Sequence, residues 1–145
     1  RVNDLLRGLS DATIRARETE LHRALRDLVA EIPMLQTAYV GDRHGHVLLS
    51  ASVAPVPTGL DLSDREFHAL LAAPDAPPVV VTRVYRGRIE DNVFFAVARR
   101  RAGTGNTDLP PGAFDGQTNV SVDPAQVAEG LRRIRAAPED ALSLL

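Results

Sequence analysis

The chain has 145 residues, 44% of them apolar, enough for one folded domain with a real hydrophobic core. A formal charge of −2 gives no general attraction for nucleic acid or acidic membrane surfaces. The absence of cysteine excludes disulfides, thiolate metal sites and thiol nucleophiles. Aromatic residues make up 4%, with no Trp, so the core must be built from Val, Leu, Ile and Ala. All 17 basic residues are Arg, which fits a high-GC coding sequence better than selection for a function. No apolar run approaches the roughly 20 residues that span a bilayer. The chain opens on Arg1, so it reads as an excised piece of something longer.

From Val2 to Ile32 the pattern is helical. Leu21, Leu25, Leu28 and Ile32 step by four, three and four and so share one stripe, with an earlier stripe at Val2, Leu5, Leu9 and Ala12. Two core helices broken near Gly8 and Ser10 would explain this pattern. We favour instead a long N-terminal helix, residues 1–32, that protrudes and pairs with a second copy. Pro33 ends it. TAYVGD and VLLSAS, residues 37–42 and 47–52, then read as short strands around the DRHG turn.

A helix is expected after the Pro-rich loop, beginning at DLSDREFHALL. Ser63 and Glu66 have the spacing of a capping box, with Leu62 and Phe67 placed as a hydrophobic staple and Asp64 in the first turn. VVVTRVYRGR and NVFFAVARRR read as a hairpin turning at RIED. A Gly/Pro-rich loop follows, then the alternating strand GQTNVSVD. Asp123 suits the N-cap of a last helix that has Pro124 in its first turn. The sum is an α+β fold with about five antiparallel strands and helices packed on them.

Ser63, Asp64 and His68 resemble a hydrolase triad only in composition. The cap accounts for the serine and the acids, so no catalytic residue is assigned. Arg65 and His68, three apart, are left over and share a helix face. His44 and His46 flank Gly45 in a turn with no third ligand at a suggestive spacing, so we read them as exposed and expect no metal. Arg99, Arg100 and Arg101 read as a solvated strand end, because no aromatic residues interleave with them as in single-strand nucleic-acid binders. The GTG at 103–105 opens no helix and fails the context of a dinucleotide site.

Four phrases in order, PMLQTAYVGDRHGHVLLSAS, LDLSDREFHALLA, FFAVARRR and GAFDGQTNVSVDPAQV, resemble the membrane-distal module of a double Cache sensor domain. Such domains occur in bacterial transmembrane histidine kinases, diguanylate cyclases and chemoreceptors. The resemblance implies a PAS-like fold for residues 33–137: a central five-stranded antiparallel sheet with helices on both faces, behind the long N-terminal helix. It implies a periplasmic domain of a membrane-anchored parent, a homodimer through that helix, and a small-molecule ligand without a cofactor. Residues 138–145 would be a linker or the start of a second, truncated module.

In relatives that bind amino acids, an arginine and two aromatics at the helix start hold the ligand carboxylate. Arg65 and Phe67 match the first two of these, and His68 stands at the second aromatic position. Tyr85 matches a strand tyrosine and Asp123 a final aspartate. Gly87 stands where a strand acid is expected and Leu60 near an upstream tyrosine, departures that point to an anionic small molecule, such as a carboxylate, rather than to an amino acid. The competing reading is a ligand-free, cytoplasmic PAS-like dimerisation domain.

Overall fold

The computed structural model describes residues 1–86 and 92–134. Its N-terminal segment is not one helix but three: α1 (Val2–Leu6), α2 (Asp11–Ala16) and α3 (Glu18–Ala30). Gly8 takes φ +77°, a conformation that strains any residue with a Cβ, and so ends α1. Ser10 then caps α2 by accepting the Thr13 N–H at 3.1 Å. The GTG loop closes on this break, Gly8 N–H donating to Gly103 O at 2.7 Å and Gly105 N–H to Leu9 O at 3.0 Å.

The long protruding helix is therefore corrected. Its apolar stripe, Ile14, Leu21, Leu25 and Val29, is buried in a core shared with Ala38, Val40, Leu48 and Leu49 of the sheet. Burying such a stripe stabilises the fold by about 1.5–3 kcal/mol per large side chain, which is why these helices lie down on the domain. Ile32, placed on the stripe by periodicity, falls beyond α3 and is exposed, and Val29 takes its role.

The sheet has six strands among the described residues: β1 (Leu35–Gly41), β2 (Val47–Ser50), β3 (Val80–Val81), β4 (Tyr85–Arg86), β5 (Val93–Arg100) and β6 (Gln117–Val122). Their order is β2-β1-β6-β5-β3, with β4 also on β5, and every pairing is antiparallel. The sixth strand arises because VVVTRVYRGR does not run straight. Val81 faces Val97 but Tyr85 faces Phe94, so the edge carries one extra residue. Thr82 explains the break. Its hydroxyl donates to Arg83 O at 2.8 Å and accepts the Ala96 N–H at 2.9 Å, taking contacts that a regular ladder would give to backbone.

Helix α4 (Glu66–Ala72) packs on the opposite face from α1–α3, where Leu62, Phe67 and Leu71 meet Tyr39, Val80, Ala96 and Ala98. Helix α5 (Pro124–Ile134) begins as expected, with Asp123 Oδ1 accepting the Ala125 N–H at 2.9 Å. Gly87, the RIED turn and residues 138–145 lie outside the described residues.

The long Gly/Pro-rich loop is pinned at its middle and at its end. Arg43 makes two 2.8 Å bonds to Asp108 and one of 3.0 Å to Asp115. Burial pushes the Asp115 carboxyl up, but hydrogen bonds from Thr104, Asn106 and Arg43 outweigh it and hold the group below the usual range. The arginine cluster is not the solvated strand end expected. Only Arg99 is exposed. Arg100 bonds to carbonyls of α4, and the buried Arg101 pairs with Asp11.

Candidate functional site

The start of α4 departs from the capping box. Arg65 is the N-cap, and the Ser63 N–H donates to Asp61 Oδ1 at 2.7 Å, an Asx turn that comes before the helix. The cause lies in the chain just upstream. Val47 N–H donates to Leu60 O and Leu62 N–H to Gly45 O, with His46 bridging Asp61, so residues 60–62 are held extended. A helix cannot begin inside that stretch. Gly45 permits the approach: a Cβ there would sit 2.6 Å from the Ser63 Cβ. Glu66, released from a capping role, accepts instead from the Tyr85 hydroxyl at 3.1 Å.

The five residues singled out for ligand binding do not all converge. Arg65 and Tyr85 meet, the guanidinium lying 4.8 Å from the ring centroid, with Arg83 at 5.3 Å from the same ring. The edge bulge makes this possible. In an unbroken strand Val80, Thr82, Val84 and Arg86 would share the α4 face; the extra residue turns Tyr85 onto it, opposite Phe94 at 6.0 Å. Phe67 is a core residue, 3% exposed. His68 parts company with Arg65 and stands edge-to-face on Phe114. Asp123 continues β6 on the face of Asn119 and Ser121 while its Oδ1 caps α5.

What the sequence reading missed is the floor. Side chains alternate along strands, so the registers place Thr37, Ser121 and Ala96 in one row across the α4 face, with Thr82 at its end. The row above holds Tyr39, Asn119, Ala98 and Val80. The row below runs towards Phe94 and Tyr85. No residue of the middle row projects beyond a γ atom, although larger side chains flank it on both sides. All are buried, and Thr37 Oγ1 has no hydrogen-bond partner among the described residues. A buried hydroxyl without a partner costs about 1–3 kcal/mol, which makes Thr37 the polar point of this row. Alternation in a single strand could have suggested which residues face inwards; only the pairing of three strands puts the small ones side by side.

Chemically, the layer between α4 and the sheet offers neutral hydroxyls on its floor and a charged rim of Arg65, Arg83 and Glu66. His44 and His46 are exposed in their turn. No group of three or more His, Asp or Glu among the described residues is arranged to hold a metal. No helix among them is long and apolar enough to cross a membrane.

No family model and no curated protein matches the chain. Solved structures do match. The extracellular domain of rpHK1S-Z16, assigned as a histidine kinase, is 26% identical with a TM-score of 0.64, covering 80% of this chain and 45% of its own. The sensor domain of the V. cholerae histidine kinase DctB is 16% identical with a TM-score of 0.59, over 82% of this chain and 41% of that one. The ligand-binding domain of the Pseudomonas aeruginosa chemoreceptor PctB, in complex with L-Gln, is 16% identical with a TM-score of 0.55, over 87% and 46%. The chain thus spans just under half the length of these domains. Its α+β fold, an antiparallel sheet flanked by helices, is that of the Cache-like, PAS-like sensor domains of histidine kinases and chemoreceptors.

Proposed function

We propose that this chain is an extracytoplasmic sensing module of a bacterial membrane receptor, a histidine kinase in the leading reading, and that it binds a small anionic molecule between α4 and the sheet. The observation that carries this is the row of small side chains under α4 with an unpartnered Thr37 hydroxyl, beside the Arg65–Tyr85 pair. Arg65 supplies charge for a carboxylate or similar anion. Tyr85 and Phe94 supply an aromatic wall, and Thr37 and Ser121 supply hydrogen bonds at depth. Likeness to extracellular domains favours this over a cytoplasmic, ligand-free dimerisation domain.

The relay would run through the floor itself. β1 carries Thr37 on one face and Ala38 and Val40, which pack under α3, on the other. A ligand that binds one arrangement of this strand better than another shifts the population of both layers. A homodimer through the N-terminal segment would have to use its outward, charged face, because the apolar stripe is spent in the core.

The test is isothermal titration and thermal-shift screening of organic acids and amino acids against the purified chain. Stabilisation by a member of the panel, lost in Arg65→Ala and in Ser121→Leu while both variants stay folded, is the expected result. A ligand whose affinity is unchanged in both variants would place binding elsewhere.

A further inference from the structure

Helix α4 is also held at its other end, by contacts that the ligand reading does not use. Arg100 Nε donates to Leu71 O at 2.7 Å and Arg100 Nη2 to Ala73 O at 2.9 Å, satisfying carbonyls at the helix C-terminus. The same guanidinium lies 5.6 Å from the centroid of Phe114. His68 meets that ring too, edge-to-face with centroids 5.4 Å apart and planes at 84°. Phe114 is thus clasped by Arg100 of β5 and His68 of α4.

The surroundings of His68 do not suit a charge. Its Nδ1 is buried without a hydrogen-bond partner among the described residues. Burial lowers the imidazole pKa; Asp61 and Asp42 pull the other way, and His44 adds to the lowering. Neither acid is idle. Asp42 Oδ1 accepts the backbone N–H groups of His44 and His46, its Oδ2 lies 3.3 Å from His46 Nδ1 and 3.8 Å from an Arg15 nitrogen, and Asp61 Oδ1 holds the Ser63 N–H.

We propose that His68 is a pH latch: neutral, it seats α4 on Phe114; protonated in a mildly acidic medium, it unseats the helix. A charged ring gains hydration by leaving a site that offers Nδ1 no acceptor. The seated state has the depressed pKa, so it is favoured above the ordinary histidine range and loses that advantage as pH falls from about 6.5 through the lowered value. Acidity would then be a second input to the module, acting on the helix whose start carries Arg65. The latch is a property of the fold and needs no ligand.

Native-state hydrogen exchange on the whole chain, without ligand, tests it between pH 7.5 and 5.0. Protection of the Leu70, Leu71 and Ala72 amides, corrected for intrinsic exchange, should fall about tenfold for each unit by which the pKa is lowered, while β1 and β6 amides keep theirs. His68→Phe retains an aromatic contact and cannot be protonated, so it should abolish the fall; His68→Gln serves if that variant does not fold. His44→Asn should retain it. Protection of α4 that is independent of pH in the unsubstituted chain overturns the proposal. So does a fall that persists in both His68 variants.

Discussion

Ala96→Val asks directly whether there is room above the floor. Ala96 is fully buried in β5, between Ser121 of β6 and Thr82 at the sheet edge. Valine adds two methyl carbons and suits strand geometry. If the space between the floor and α4 is there to be filled, each added carbon stabilises by about 0.8 kcal/mol, or about 1.6 kcal/mol together. If the layer is already packed, overpacking costs about 1–3 kcal/mol. The two readings differ in sign, which makes the measurement decisive. Urea unfolding gives the free energy, and a thermal scan should show the midpoint rising by about 3 °C or more. The same substitution should remove the stabilisation that a cognate ligand gives the original chain. Destabilisation by about 1 kcal/mol or more, with binding intact, would refute the siting of the ligand over this row.

Thr82→Val keeps the shape but deletes the hydroxyl that organises the edge bulge; the loss should be about 1–2 kcal/mol, with weaker ligand binding because Tyr85 loses its register, both read by unfolding and titration. Arg101→Met breaks the buried pair with Asp11 and should cost about 3 kcal/mol; adding Asp11→Asn should recover part of it in urea unfolding. The depressed Asp115 carboxyl gives stability that is complete above the ordinary carboxylate pKa of about 4 and lost as pH falls through its lower folded value. Asp115→Asn should therefore flatten the acid limb of stability against pH.

Much of the fold was legible because hydrophobic period and turn residues agree with it. The strands at 35–41, 47–50, 93–100 and 117–122 and the Asp123 cap all follow from local pattern. The errors share a cause, namely contacts made far away in sequence. Ser63 and Glu66 carry a sound capping spacing, yet pairing of residues 60–62 with the Gly45–Val47 strand entry delays the helix. The apolar stripes of residues 1–32 fit a protruding helix as well as core helices broken near Gly8, and the distant sheet that takes them up decides between the two. Arg100 and Arg101 look like surface charge until α4 carbonyls and Asp11 are brought to them. Among the site residues, Arg65 and Tyr85 were named by family resemblance and do meet, but the bulge that joins them is invisible in VVVTRVYRGR. Thr37 and Ser121 carry no signal of their own.

Arg100, which ends β5, and Arg101, which follows it, have a mechanical meaning. Side chains of consecutive residues leave a strand in opposite directions, and here each direction ends in a helix: Arg100 grips the carbonyls of α4 on one face, while Arg101 grips Asp11 of α2 from the other. One strand terminus is therefore bolted to both helical layers at once, by bonds of 2.6 to 2.9 Å. A displacement of α4 loads Arg100 and, one peptide further on, the ion pair that seats α2. The sheet does not merely separate the two layers; at this corner it makes them move as a single linkage.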